Sequence, residues 1–210
     1  MKKQKFFNFK LNENKDLTNF YVNETNVEAF KIINEPDLFN KIFLFGPKKS
    51  GKTHLANIWA NKNNALIYSK NLDHIIQNNK NILIDDFFFN LNEEEVFHIL
   101  NHCNNLNLKI LITSHLDLYE YNFRLMDLKS RLKTFHYVKI NNPNDEMSLI
   151  ILTKLLTEKQ FIIKNKEIFE FLIKRVNRSY EEIYNLANKM DNLSLEKKRQ
   201  LTIPLIKEIL

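Results

Sequence analysis

Both glycines of this 210-residue chain fall inside one short run, Gly46 to Thr53, which reads GPKKSGKT. Glycine, four residues, glycine, lysine and threonine is the phosphate-loop pattern, and a chance match in a chain this long is roughly a 1% event at average residue usage. The chemistry needs these types at this spacing. Successive backbone N–H groups must turn inward to hold phosphate oxygens, and glycine makes that turn without a Cβ clash. Gly46, Pro47, Lys48, Lys49, Ser50 and Gly51 are therefore candidate cradle residues. Lys52 is read as the positive charge on the phosphates, Thr53 as a Mg2+ ligand, and His54 as the next residue along the nucleotide. The context fits: KIFLF (Lys41 to Phe45) reads as a buried strand, and the residues after Thr53 have helical spacing. That helix points its positive end at the anion.

A second signal lies downstream. NILIDDF (Asn81 to Phe87) is an apolar strand running into Asp85 and Asp86, the Walker B pattern. Asp85 is placed to hold Mg2+, and Asp86 to orient or deprotonate an attacking water. KILITSH (Lys109 to His115) reads as another strand, whose Thr113 would lie between the two motifs and reach the γ-phosphate or the water. DLKSRLKTF precedes a fifth strand, FHYVKI, and carries Arg131. Arg131 is either a surface arginine or a finger that reaches a nucleotide on a neighbouring subunit.

Strands alternate with helices up to about residue 142, and only helical patterns follow. The expected organisation is a lead-in over residues 1–20, an α/β nucleotide domain over 21–142, and a small all-helical lid over 143–210. Thr25 is read as the polar cap of a first helix that carries the apolar residues Val27, Phe30, Ile32 and Ile33. Residues 93 to 105 read as an amphipathic helix with Val96, Ile99, Leu100 and Cys103 inward. Ser179 with Glu182 reads as a capping box for a helix through Met190, and Thr202 with Pro204 as the start of a last short helix.

Composition narrows the setting. The single cysteine excludes an internal disulfide and fits a reducing, cytoplasmic compartment. No apolar run approaches membrane-spanning length, so no membrane partner is expected. A net charge of +6 permits weak attraction to nucleic acid without demanding it, because the basic residues are scattered.

Together these residues resemble the AAA+ P-loop ATPases, and within them the DnaA-related Hda/HdaA regulators. GPKKSGKTHLANIWA resembles their Walker A and following helix, DLKSRL their arginine-finger box, YVNETNVEAF their adenine-pocket segment, and RQLTIPLIKEIL their carboxyl terminus. The resemblance implies a parallel five-stranded AAA+ core with a helical lid and ADP or ATP with Mg2+ as cofactors. Tyr21 and Val22 would line the adenine pocket, and Arg131 would act in trans. It implies the initiator DnaA and the polymerase sliding clamp as partners, DNA only indirectly or weakly, and a homodimer as an admissible assembly. The clamp peptide would be Gln4 to Phe9, with Gln4, Phe7 and Phe9 as anchors; Lys5 and Asn8 depart from the family's peptide. No DNA-binding module is expected after the lid.

One departure bears on activity. The lid arginine of DnaA-like proteins falls at Glu181 here, where a carboxylate would repel a phosphate. Arg178, one turn earlier, is the substitute. The chain's own hydrolysis is therefore expected to be weak or absent, and regulation of DnaA to be its role. The alternative is a DNA-binding AAA+ adaptor or helicase loader that uses the basic surface; a small-molecule P-loop kinase is the more distant one.

Overall fold

The computed structural model describes residues 20–35, 37–69, 71–88, 92–161, 167–173, 175, 177–197 and 203–207. Gln4, Phe7 and Phe9, with the rest of the clamp peptide, lie outside the described residues, as do Phe89 and Thr202.

Five strands form one parallel sheet: β1 Lys41–Phe45, β2 Leu66–Ile67, β3 Ile82–Ile84, β4 Ile110–Ser114 and β5 His136–Lys139, in the order β2-β3-β4-β1-β5. The sequence runs predict this, since a strand covered on both faces reads as continuously apolar. Alternation along each strand then divides the core. Ile42, Leu44, Leu83, Leu111 and Val138 face one side, against helices α1 (Val27–Asn34) and α2 (Lys52–Lys62). Phe43, Ile82, Ile84, Ile110 and Ile112 face the other, against α3 (Leu72–Asn78), α4 (Glu93–Asn105) and α5 (Met126–Leu132). The inward set expected for α4 is fully buried.

The lid comprises α6 (Asp145–Glu158), α7 (Glu167–Ile173), α8 (Tyr180–Lys197) and α9 (Ile203–Ile206), with its own apolar cluster around Leu156, Leu172, Ala187 and Met190. Tyr180 and Met147 leave that cluster and bury in the nucleotide domain's core. Asn144 caps α6 by accepting from the Met147 N–H.

Three local expectations need correction. Helix α1 is not capped by Thr25. It starts at Val27, and the Thr25 hydroxyl donates to Asn23 instead, at 2.7 Å. Val27 points out, while Ala29 is buried. Helix α8 does not stop at Met190 but continues to Lys197, because Leu193 adds one more inward turn. Strand β2 is two residues rather than the five of ALIYS; as the sheet's edge it is paired on one side only, with β3.

Candidate nucleotide-binding site

The phosphate loop leaves the carboxyl end of β1, where ligands bind in an open parallel sheet. Its two glycines are required for different reasons. A Cβ on Gly46 would stand 2.9 Å from the Cβ of Ile140, so the loop packs too closely on the end of β5 for any side chain. Gly51 adopts φ 91°, the left-handed region that costs other residues strain. A Cβ there would meet the Phe20 ring at 2.7 Å. Phe20 also stacks on His54 and Phe30, with ring centroids 5.8 Å and 6.0 Å away. Lys49 reaches φ 62° without being glycine, which marks local strain in the cradle.

Lys52 is nine-tenths buried, and its ammonium donates to the carbonyls of Gly46 and Pro47 at 2.8 and 2.7 Å. Burial pushes its pKa below the ordinary lysine value, and the carboxylates of Asp86 and Asp85 pull back against that. Ser50 is buried in the same loop, and its hydroxyl oxygen has no hydrogen-bond partner. An orphaned buried hydroxyl beside a buried ammonium, inside a loop whose glycines exclude side chains, fits a phosphate group.

The carboxylates beyond β3 are held by their neighbours. The Thr53 hydroxyl donates to one oxygen of Asp85 at 2.9 Å, and the buried Thr113 hydroxyl donates to the other at 2.5 Å. Thr113 also accepts from the N–H of Asp86 at 2.9 Å. An all-oxygen pair from Thr53 and Asp85 suits a hard cation such as Mg2+. Thr113 does lie between the two motifs, because β4 sits between β3 and β1. Its hydroxyl, however, is spent on positioning Asp85 and Asp86, and the side chain is 1% exposed. Asp86 is left-handed at φ 50°, which turns its carboxylate toward His115, whose Nδ1 lies 2.7 Å away.

Tyr21 and Val22 are half-buried beside the hinge to the lid. The Tyr21 hydroxyl donates to Glu146 at 3.0 Å, and Asn23 donates to both Asn144 and Glu146 at 3.1 Å. The segment that precedes α1 is thus clasped to the start of α6. Arg178 faces Asp145 in a two-pronged pair at 2.9 and 3.1 Å, with both side chains more than half exposed. Such a surface pair is worth little, so it is a weak tether, but it holds the guanidinium at the hinge. Among the described lid residues, Tyr184 reaches the loop, its ring carrying the Lys49 ammonium 5.0 Å from its centroid. Glu181 is exposed.

Arg131 lies elsewhere. Its guanidinium stacks over Phe97 at 4.9 Å, beside Lys41 and Ile110, the first residues of β1 and β4. The phosphate loop follows the last residue of β1, a strand of five residues, or ~16 Å away along the sheet.

Sequence reasoning missed Phe20, Lys41, His115 and Tyr184. Phe20 had the one usable signal, an aromatic directly ahead of Tyr21-Val22. The other three become visible only when the topology brings them to the loops.

Comparison with known proteins follows the same lines. A family model described as the Hda lid domain matches residues 145–210. The chromosomal replication initiator protein DnaA of Buchnera aphidicola subsp. Baizongia pistaciae is 28% identical over 94% of this chain and 50% of its own length. This chain spans about half the length of the DnaA relatives it matches. Domain III of the Thermotoga maritima initiation protein DnaA superposes with a TM-score of 0.74 at 20% identity, covering 94% of this chain and 96% of that one. AMPPCP-bound DnaA from Aquifex aeolicus superposes with a TM-score of 0.67 at 22% identity, covering 90% and 70%. At such identities the structures establish the AAA+ fold.

Proposed function

We propose that this chain, whose lid matches the Hda lid model and which resembles DnaA along most of its length, is a DnaA-related AAA+ regulator that binds an adenine nucleotide and activates hydrolysis of ATP held by DnaA. The observation that carries the reading is the place of Arg131. It stands at the amino edge of the sheet, and its own phosphate loop stands at the carboxyl edge. A guanidinium so placed has no route to its own nucleotide, so it serves one bound to a second AAA+ subunit.

The chain's own site then has a structural task. The cradle from Gly46 to Gly51 and the Lys52 ammonium hold the phosphates, and Tyr21 and Val22 border the base. Thr53 and Asp85 are the oxygen donors that would hold Mg2+, which would offset the phosphate charge. Thr113 fixes the Asp85 carboxylate. Asp86 is bonded to His115, and its carboxylate acts on the Lys52 ammonium as well. Glu181 in the lid carries the wrong charge for a phosphate, and Arg178 faces Asp145 at the hinge. Bound nucleotide, preferably ADP, then clasps the lid to the core.

In the complex, the guanidinium of Arg131 neutralises charge developing on the transferred phosphoryl group of the partner's ATP, an effect worth about 10³- to 10⁵-fold in other such systems. The Gln4 to Phe9 peptide would dock the chain on the sliding clamp through Gln4, Phe7 and Phe9, concentrating it near DNA-bound DnaA. The product is ADP-bound DnaA, which limits initiation.

The test is ATP hydrolysis by the cognate DnaA with this protein and a DNA-loaded clamp, each omitted in turn. Stimulation that needs all components and vanishes in Arg131→Ala is the expected result. An Arg131→Ala variant that stimulates as well as the parent would sink the reading.

A further inference from the structure

Between the start of β1 and the α4–α5 pair lies a cavity of about 170 Å³, on the face of the molecule away from the phosphate loop. Its floor is apolar, made by Leu100, Cys103, Ile110 and Phe135, all buried. Its rim carries two cations, Lys41 and Arg131, both half-buried, with the exposed Asn104 and Thr134 beside them. Although Lys109, Lys154, Lys159 and Arg178 each meet a carboxylate, neither rim cation has such a partner among the described residues. They are not consumed in capping α4 either. The last-turn carbonyls of His102, Cys103 and Asn104 already accept from the N–H groups of Leu106, Leu108 and Asn107.

Two like charges around one cavity repel each other unless an anion stands between them. The floor cannot satisfy that need, because it offers no polar group except a thiol. Burial pushes the Cys103 thiol up to about 12 even though Lys41 acts to lower it, so Cys103 is a neutral wall and no nucleophile. The space holds several waters, and those lying on the apolar floor lack partners there. An apolar body displaces them with gain, and a negative head meets the rim.

We propose that this cavity binds a small organic carboxylate, its hydrocarbon body on the Leu100–Ile110–Phe135 floor and its carboxylate between Lys41 and Arg131. Binding itself is independent of the proposed regulatory role. Its consequence rests on that role: a carboxylate held by Arg131 keeps the guanidinium from a partner's phosphate, so the ligand silences the finger without touching the nucleotide site.

The test uses the full chain with excess ADP and Mg2+, at constant ionic strength, followed by amide NMR shifts of Cys103, Asn104, Thr134 and Phe135. The probe is butanoate. Butanamide keeps the body without the charge, and inorganic phosphate keeps charge without the body. The expected result is saturable binding of butanoate in the millimolar range, as fits a fragment of six heavy atoms. Butanamide and phosphate should bind about tenfold more weakly or not at all. Lys41→Ala should weaken butanoate about tenfold, and Lys41→Arg should restore it, which separates lost charge from lost fold. The proposal is overturned by an absence of saturable shifts, by equal affinity for the three probes, or by binding indifferent to Lys41→Ala. Failure of butanoate to reduce stimulation of DnaA, while the shifts saturate, would instead overturn the trans role of Arg131 and leave the cavity assigned.

Discussion

At the carboxyl edge of the sheet the charged groups answer one another: Lys52 is tied to loop carbonyls, Asp85 to Thr53 and Thr113, and Asp86 to His115. At the amino edge Lys41 and Arg131 stand around a cavity without a carboxylate, and Arg131 leans on the face of Phe97. The first arrangement is a preorganised pocket, stable by itself and waiting only to exchange internal partners for a nucleotide. The second is electrostatically unfinished. On the proposed reading of Arg131, the same sheet separates holding a nucleotide from acting on one.

Variants at the two edges should fail in different assays. Arg131→Ala should remove about 10³-fold or more of the stimulation of DnaA, yet leave ADP affinity measured by calorimetry within about twofold of the parent. Lys52→Ala should do the reverse at its primary effect, lowering ADP affinity by roughly 100-fold as a buried charge-assisted contact and its phosphate partner are lost together. Loss of ADP binding in Arg131→Ala would dissolve the separation of the edges.

The amino edge can be probed without a partner through Cys103. Its thiol lies on the cavity floor beside Lys41, so charge and burial compete there. Burial wins: the pKa rises from 9.0 to about 12, and the thiolate that alkylates appears only as pH nears that value. Iodoacetamide at pH 8 should then modify the folded chain about 10³-fold more slowly than the urea-unfolded chain, by the three-unit difference. Equal rates would mean that Lys41 dominates and that the floor is wet.

Much of this was legible in the sequence. KIFLF, ILI and ILITS could be read as buried strands because a parallel sheet leaves no solvated face. The phosphate loop could be read because its chemistry fixes residue types at fixed offsets. What stayed hidden depends on approach between distant segments. Thr113 was visible as a polar strand end, but its hydroxyl serves Asp85 and Asp86 because β4 happens to lie between β3 and β1. Thr25 looked like a helix cap, yet Asn23 two residues earlier competes for its hydroxyl. Arg178 looked available for phosphate, and only the fold shows that the first residue of α6 carries the carboxylate that takes it.

Thr113 gives the next effect in size. Thr113→Val keeps the shape and removes the hydroxyl, which leaves the Asp86 N–H and one Asp85 oxygen without their partner. Denaturant unfolding should show a loss of about 1–3 kcal/mol, with Thr113→Ser recovering most of it. A neutral Thr113→Val would mean that water replaces the hydroxyl and that Asp85 is oriented by Thr53 alone.

The smallest effect belongs to the contact that joins the two domains at the loop. Tyr184 holds the Lys49 ammonium on its ring, three residues past Glu181, so the lid meets the phosphate loop with an aromatic face in place of a cation. An ammonium resting on a ring is free to turn to a phosphate at low cost, because the exchange trades one attraction for a stronger one. Tyr184→Phe keeps the face and should leave ADP affinity unchanged. Tyr184→Ala removes a lid contact worth about 0.5–1 kcal/mol and should change that affinity by about two- to fivefold. The direction decides between two roles. Weaker binding means that the ring closes the lid over a bound nucleotide, and tighter binding means that it holds Lys49 back from the phosphates.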